Sequence, residues 1–212
     1  MPRLLIATNN AGKLSEFREL LAGVPFDLVS PRDIGLTLEV AETGRTYATN
    51  ARLKARAFAK ASGLLSLADD SGLEVDALNG EPGVLSARYA GAGATDQQRV
   101  AFLLEKLKPY QERRARFRCV IALASPGGTL RLVSGSCQGV IALAPSGECG
   151  FGYDPIFYFP KLDQTMAELS PALKNTLSHR ARAARHARAL LCSAPYCISS
   201  NTYWTPRVRD RS

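Results

Sequence analysis

Two adjacent acids, Asp69 and Asp70, follow the apolar run Leu64-Leu65-Ser66-Leu67-Ala68 and precede Ser71-Gly72. Packing gives no reason for such a pair. Side by side, like charges repel, and each raises the other's pKa unless a cation is near. Mg²⁺ takes one or two carboxylates and completes its shell with phosphate oxygens and water. The pair therefore points to metal-assisted chemistry on a phosphate ester, against the plainer reading of a solvated turn. Glu42, in Glu42-Thr43-Gly44, supplies a further carboxylate just before a helix carrying Asn50 and Lys54. These two lie four residues apart and share a helix face. Glu42 alone would read as an acid complementing a helix dipole; a metal-binding role needs a second acid nearby.

Three other segments offer donors or an aromatic face. Thr8-Asn9-Asn10-Ala11-Gly12-Lys13 joins a short apolar strand to a helix. Backbone N–H groups at a helix start attract phosphate, and a lysine adds a point charge. The spacing is not that of a Walker loop, and a polar turn with a capping asparagine is the alternative. Gly150-Phe151-Gly152-Tyr153-Asp154-Pro155 sets two glycines around a phenylalanine, which frees the backbone and presents a ring able to stack on a base. Asp154 is placed to accept from a purine ring N–H; a tight turn with Phe151 and Tyr153 in a core is the alternative. Lys174, with Ser178-His179-Arg180 soon after, supplies donors for phosphate or a carbonyl, although a lone histidine is more often structural.

The elements that must position these groups follow from pattern. Leu4 to Ala7 reads as a buried strand, and Phe17, Leu20 and Leu21 mark the apolar face of a helix that Val24-Pro25 ends. Phe26 to Ser30 reads as a strand. Thr46 to Ala61, rich in Ala, Lys, Arg and Leu, is a helix stopped by Ser62-Gly63. Leu64 to Ala68 is a buried strand whose end carries the paired acids. Asn79 to Gly83 is a turn. Thr95 to Leu107 is a helix capped by Thr95 or Asp96. Arg116 to Ala124 and Leu130 to Gln138 form a hairpin about Ser125-Pro126-Gly127-Gly128, with Gly139 to Leu143 extending the sheet. Ser178 caps a late helix running to Leu191. Strands alternating with helices, plus a hairpin, predict an α/β fold with a mixed β-sheet and flanking helices.

Bulk properties bound the class. The chain has 212 residues, 46% of them hydrophobic, enough to build a core without disulfide or metal staples. It shows no signal-like segment and no run long enough to span a membrane, so a cytoplasmic protein is expected. The five cysteines include no C-x-x-C and are expected to be free thiols, mostly buried. From Lys174 onward, Lys174, Arg180, Arg182, Arg185, Arg188, Arg207, Arg209 and Arg211 face Asp210 alone, which places most of the net +8 charge at this end. Such an end suits nucleic acid or polyphosphate, but a solvated helix face is the favoured reading for Arg182, Arg185 and Arg188.

Taken together and in order, these motifs resemble the inosine/xanthosine triphosphate pyrophosphatases, the enzymes of non-canonical purine nucleotides. The resemblance rests on Thr8-Asn9-Asn10-x-x-Lys13, Glu42-Thr43-Gly44-x-Thr46, Asn50-Ala51-x-x-Lys54-Ala55 and Ala68-Asp69-Asp70-Ser71-Gly72-Leu73. It continues through Gly83-x-x-Ser86-Ala87-Arg88-Tyr89, Gly150 to Pro155, Thr165-x-Ala167-Glu168-Leu169 and Lys174-Asn175-x-x-Ser178-His179-Arg180. It implies two lobes around a central substrate cleft, in one pyrophosphatase domain over 1–191, usually a homodimer. It also implies hydrolysis of ITP, dITP and XTP between the α- and β-phosphates with Mg²⁺. By that resemblance Asp70 is the catalytic base and a metal ligand, Glu42 is a metal ligand, and Asp69 supports the metal. Thr8, Asn9, Asn10, Lys13, Ser71 and Lys174 contact phosphate or substrate, and Phe151, Gly152, Tyr153, Asp154, His179 and Arg180 form the base pocket. Thr49 departs from the family, which usually has an acid there, and 192–212 is a basic extension outside the pattern. A nucleotide-sensing or nucleic-acid-binding protein without hydrolysis is the alternative in another class, and the paired acids oppose it. A Maf-like pyrimidine pyrophosphatase is a closer rival, opposed by Gly150 to Pro155 and Ser178-His179-Arg180.

Overall fold

The computed structural model describes residues 1–193. Its strands are β1 (Arg3–Ile6), β2 (Asp27–Val29), β3 (Leu65–Val75), β4 (Arg114–Ala124), β5 (Leu130–Ile141), β6 (Phe157–Phe159) and β7 (Gln164–Thr165). Its α-helices are α1 (Ala11–Leu20), α2 (Tyr47–Ser62), α3 (Asp96–Leu107), α4 (Pro171–Leu177) and α5 (His179–Ser193). The strands form one sheet in the order β2-β1-β3-β4-β5-β6-β7. It is mixed: β1 pairs in parallel with β2 and β3, whereas β6 pairs antiparallel with β5 and β7.

The chain divides into two compact units. The first holds residues 1–70, 120–133 and 183–193; the second holds 71–119 and 134–182. Each has its own apolar core. In the first, the buried face of α2 (Ala51, Ala55, Phe58, Ala59) packs with Leu5, Ala68 and Ala122. That spacing is the three- and four-residue repeat of one helix face. Thr46 caps α2 at its start, and Gly63, in the left-handed conformation at φ 69°, ends it with its N–H on the Ala59 carbonyl. In the second unit, Val100, Leu103 and Leu107 of α3 pack with Leu73, Val75 and Phe117, and the Phe117 and Phe157 rings lie 4.6 Å apart.

Two expectations change. The strand expected to end at Ala68 continues to Val75, so Asp69 and Asp70 lie within β3 and are buried. A strand keeps carboxylates inside when neighbouring side chains satisfy them, and here they do. Of the four described cysteines, Cys119 and Cys137 are buried, while Cys149 and Cys192 are exposed. Arg182 and Arg185 of α5 are exposed, as a solvated face expects, whereas Arg188 is half-buried and donates to the Ala22 carbonyl. The rest of the basic end, with Cys197, Trp204 and Arg207 to Arg211, lies outside the described residues.

Candidate active site

In the first unit the paired acids sit opposite two lysines. Asn10 caps α1, its Oδ1 accepting the Lys13 N–H at 2.9 Å, and Thr8 Oγ1 accepts the Asn10 N–H at 3.2 Å. Asn9 reaches the Leu38 carbonyl at 3.4 Å. The turn thus aims Lys13 at β3, where Nζ meets both oxygens of Asp69, at 3.1 and 3.0 Å. Asp69 is almost wholly enclosed, its side chain 1% exposed.

Asp70 faces α2. Asn50 Nδ2 donates to Asp70 Oδ2 at 3.0 Å, and Lys54 Nζ lies 3.7 Å from Asp70 Oδ1 and 2.5 Å from Glu42 Oε1. Asn50 also accepts the Gly44 N–H at 2.8 Å, which ties the Glu42-Thr43-Gly44 segment to the same helix. A Cβ at Gly44 would lie 2.6 Å from Asn50 Oδ1, so the approach needs glycine. Thr49, at the departure from the family pattern, instead hydrogen-bonds Thr46 Oγ1 through its hydroxyl (2.9 Å) and its N–H (3.1 Å) at the start of α2.

The electrostatics follow from enclosure. Burial pushes the Asp70 carboxyl above its ordinary value; Lys54 and Asn50 oppose the shift, and Glu42 adds to it. Burial also pulls down on the Lys54 ammonium, but Asp69, Asp70 and Glu42 outweigh it and hold its pKa above the ordinary lysine value. The result is a hydrogen-bonded, buried carboxylate for which desolvation outweighs the attraction of its neighbours. Among the described residues no three His, Cys, Asp or Glu side chains converge. A divalent ion would therefore rest on two carboxylates and draw its other ligands from phosphate and water. Glu42 and Asp70, hard oxygen donors converging on one ammonium, fit Mg²⁺ in that manner.

The second unit carries the other expected residues. Asp154 is buried, and its Oδ2 accepts from Lys174 Nζ at 2.7 Å and from the Phe151 N–H at 3.1 Å. Lys174 Nζ and Arg180 Cζ lie 5.1 and 5.5 Å from the centre of the Phe151 ring, within cation–π range. Arg180 Nη2 reaches Ser71 Oγ at 3.0 Å, which brings Ser71 to this cluster. His179 is buried and stacked on Phe117 at 4.6 Å and 13°. Tyr153 donates to the Ser86 carbonyl at 3.0 Å, and burial pushes its phenol well above the ordinary value.

Glu168 ties Ser146 to Thr165. Its Oε1 accepts from the Ser146 hydroxyl at 2.5 Å and its Oε2 from the Thr165 N–H at 2.6 Å. Gly150 has φ 85°, and a Cβ there would overlap Asp154 Oδ2. Gly150→Ala is expected to cost about 1–3 kcal/mol of stability and to raise KM for nucleotide by displacing Phe151. Thermal denaturation and steady-state kinetics measure both; an unchanged KM would remove the loop from substrate binding.

The structure thus brings together Glu42, Asp70 and, through Lys13, Asp69 in one unit, and Ser71, Phe151, Asp154, Lys174 and Arg180 in the other. Sequence reasoning placed Asn50 and Lys54 on one helix face but gave neither a role; their spacing before two buried acids was the available signal. It gave Asp96 no role beyond a possible cap.

Comparison with known proteins shows the family of the chain. The model of the Ham1 family matches residues 4–190. A dITP/XTP pyrophosphatase of Geobacter sulfurreducens is 52% identical over 185 residues, covering 86% of this chain and 93% of its own. The Bacillus subtilis dITP/XTP pyrophosphatase is 48% identical, covering 90% and 98%. The solved HAM1 protein of Coxiella burnetii superimposes with a TM-score of 0.84 at 42% identity, covering 92% of this chain and 100% of that one.

Proposed function

The chain belongs to the Ham1 family, and from that premise we propose that it is a pyrophosphatase. It hydrolyses non-canonical purine nucleoside triphosphates, ITP, dITP and XTP, to the monophosphate and pyrophosphate. The observation that carries this reading is the buried Asp70 carboxylate, held by Asn50 and Lys54 and set against Glu42.

Asp70 is the group that orients the attacking water and takes its proton as oxygen adds to the α-phosphorus. The bond from that phosphorus to the α–β bridging oxygen breaks, and pyrophosphate leaves. Glu42 and Asp70 would hold Mg²⁺, whose charge neutralises the triphosphate and acidifies water when it is bound. Asp69 supports this arrangement by holding Lys13, which with Thr8, Asn9, Asn10 and Lys174 offsets phosphate charge. Phe151 presents its ring to the base, and Gly152, Tyr153, Asp154, His179, Arg180 and Ser71 shape the pocket around it. Polar groups matched to a 6-oxo purine reject a 6-amino one strongly, because a mismatch leaves buried donors or acceptors unpaired. A homodimer belongs to the same reading and rests on the resemblance. Among the described residues no helix is long and apolar enough to cross a membrane.

The test is pyrophosphate release from ITP, XTP, dITP, ATP, GTP and dTTP, each with Mg²⁺ and with EDTA. Release from the 6-oxo substrates far above ATP and GTP, abolished by EDTA, is expected. Release from none of them would leave a nucleotide-binding protein without hydrolysis.

A further inference from the structure

Asp96 opens α3, where an acid ordinarily serves the helix dipole. This helix is already capped without it. Thr95 Oγ1 accepts the Gln98 N–H at 3.2 Å, and the Gln98 side chain accepts the Thr95 N–H at 2.8 Å, a complete capping box. The Asp96 carboxylate turns instead to the Gly150–Asp154 loop, where Oδ2 accepts the Gly152 N–H at 2.7 Å across 56 residues of chain. Its Oδ1 is held by Arg99 Nη2, and Arg99 Nη1 donates to the carbonyls of Ala87 and Ala94. Asp96 is thereby oriented from outside the loop it touches.

Two successive amides of that loop end on carboxylates: Phe151 N–H on Asp154 and Gly152 N–H on Asp96. The second matters because Gly152 has φ 64°, a left-handed backbone that favours glycine, with open space where a Cβ would stand. Glycine gives up more conformational freedom on ordering than any other residue, and a charge-assisted bond to its N–H offsets that loss. The bond fixes the peptide that follows Phe151, and with it the direction of the ring beside Lys174 and Arg180.

We propose that Asp96 is a positioning residue for purine selectivity: by holding the Gly152 amide it sets the Phe151 ring against the base. This rests on the pyrophosphatase reading. The Asp96 side chain is 43% exposed, which places the effect at the low end for a hydrogen bond to a charged group.

The experiment measures kcat and KM for ITP and ATP in the wild type, Asp96→Ala, Asp96→Asn and Thr95→Ala, with Tm for each. Asp96→Ala is expected to lower kcat/KM for ITP about tenfold, chiefly through KM, and to lower the ITP-to-ATP preference by a similar factor. Asp96→Asn, whose side-chain carbonyl can still accept the Gly152 N–H, restores most of that preference. Thr95→Ala, which removes the cap, lowers Tm without moving the preference. An unchanged preference in folded Asp96→Ala, or an equal loss in Thr95→Ala, overturns the proposal. Should Asp96→Ala not fold, Asp96→Ser, with a hydroxyl too short to span the gap, is read against the same criteria. If the wild type releases no pyrophosphate from ITP, the pyrophosphatase reading fails by itself. Asp96 is then judged by amide exchange at Gly152: faster exchange in the variant supports the clamp, and equal exchange overturns it.

Discussion

Asp70→Asn is expected to lower kcat for ITP by about 10³-fold while raising the Tm of the nucleotide-free protein. The kinetic half follows from the role of the carboxylate. An amide keeps the shape and can still accept from Asn50, but it cannot take a proton from water or serve as an anionic ligand. KM should change far less than kcat, because the phosphate and base contacts lie on other residues. The stability half follows from burial. Asp70 has its folded pKa raised above the ordinary aspartate value of 3.8, with desolvation as the largest cause. Between 3.8 and the folded value the native state binds more protons than the unfolded chain, so stability falls as pH rises through that window. The penalty is complete above the folded pKa and absent below 3.8. An uncharged amide never incurs it. The gain in Tm should therefore be greatest near neutral pH and shrink on acidification. Retained turnover would remove Asp70 from the mechanism. A lower Tm near neutral pH would mean that the charged contacts with Lys54 outweigh desolvation.

That pairing of effects explains why the site was only partly legible in the sequence. Asp69-Asp70 stood out because no packing argument accounts for two adjacent acids after an apolar run. The same pattern misled on where β3 ends, since local propensity places such a pair in a turn. What keeps the strand going is tertiary: Lys13 lies 56 residues before Asp69, and Asn50 lies 20 before Asp70. Helices α2 and α3 were legible within a residue or two because caps and apolar spacing are local signals. Helix α4, with Ser170 as its N-cap and Pro171 in its first turn, is only seven residues long and offered too short a period to detect. The partners of the Gly150–Asp154 loop were hidden for the same reason as those of the acids. Asp96 looks like any first-turn acid until the Gly152 amide is found 2.7 Å away. Family resemblance supplied what distance in sequence concealed, since it groups segments that no local rule connects.

Lys54→Met is expected to have the second large effect, with two parts of opposite sign. The Lys54 ammonium lies between Glu42 and Asp70, the same two carboxylates that fit a divalent ion. Its charged form is favoured there, since Asp69, Asp70 and Glu42 together outweigh its burial. A second cation at those oxygens must contend with this one, and unit charges about 4 Å apart at a protein surface interact by about 4 kcal/mol. Methionine has similar length and no charge. Mn²⁺ or Mg²⁺ should therefore bind the nucleotide-free variant about tenfold more tightly or better, read by calorimetric titration; even a third of that Coulomb energy gives such a factor. Turnover should move the other way, falling about 10²-fold, because an ammonium released from the carboxylates is then missing from the phosphates as their charge develops. The two readouts separate three cases. Tighter metal binding with lost turnover fits a lysine that balances the acids until substrate arrives. Weaker metal binding would show that Lys54 supports the carboxylates as ligands. Unchanged turnover would confine Lys54 to offsetting buried charge.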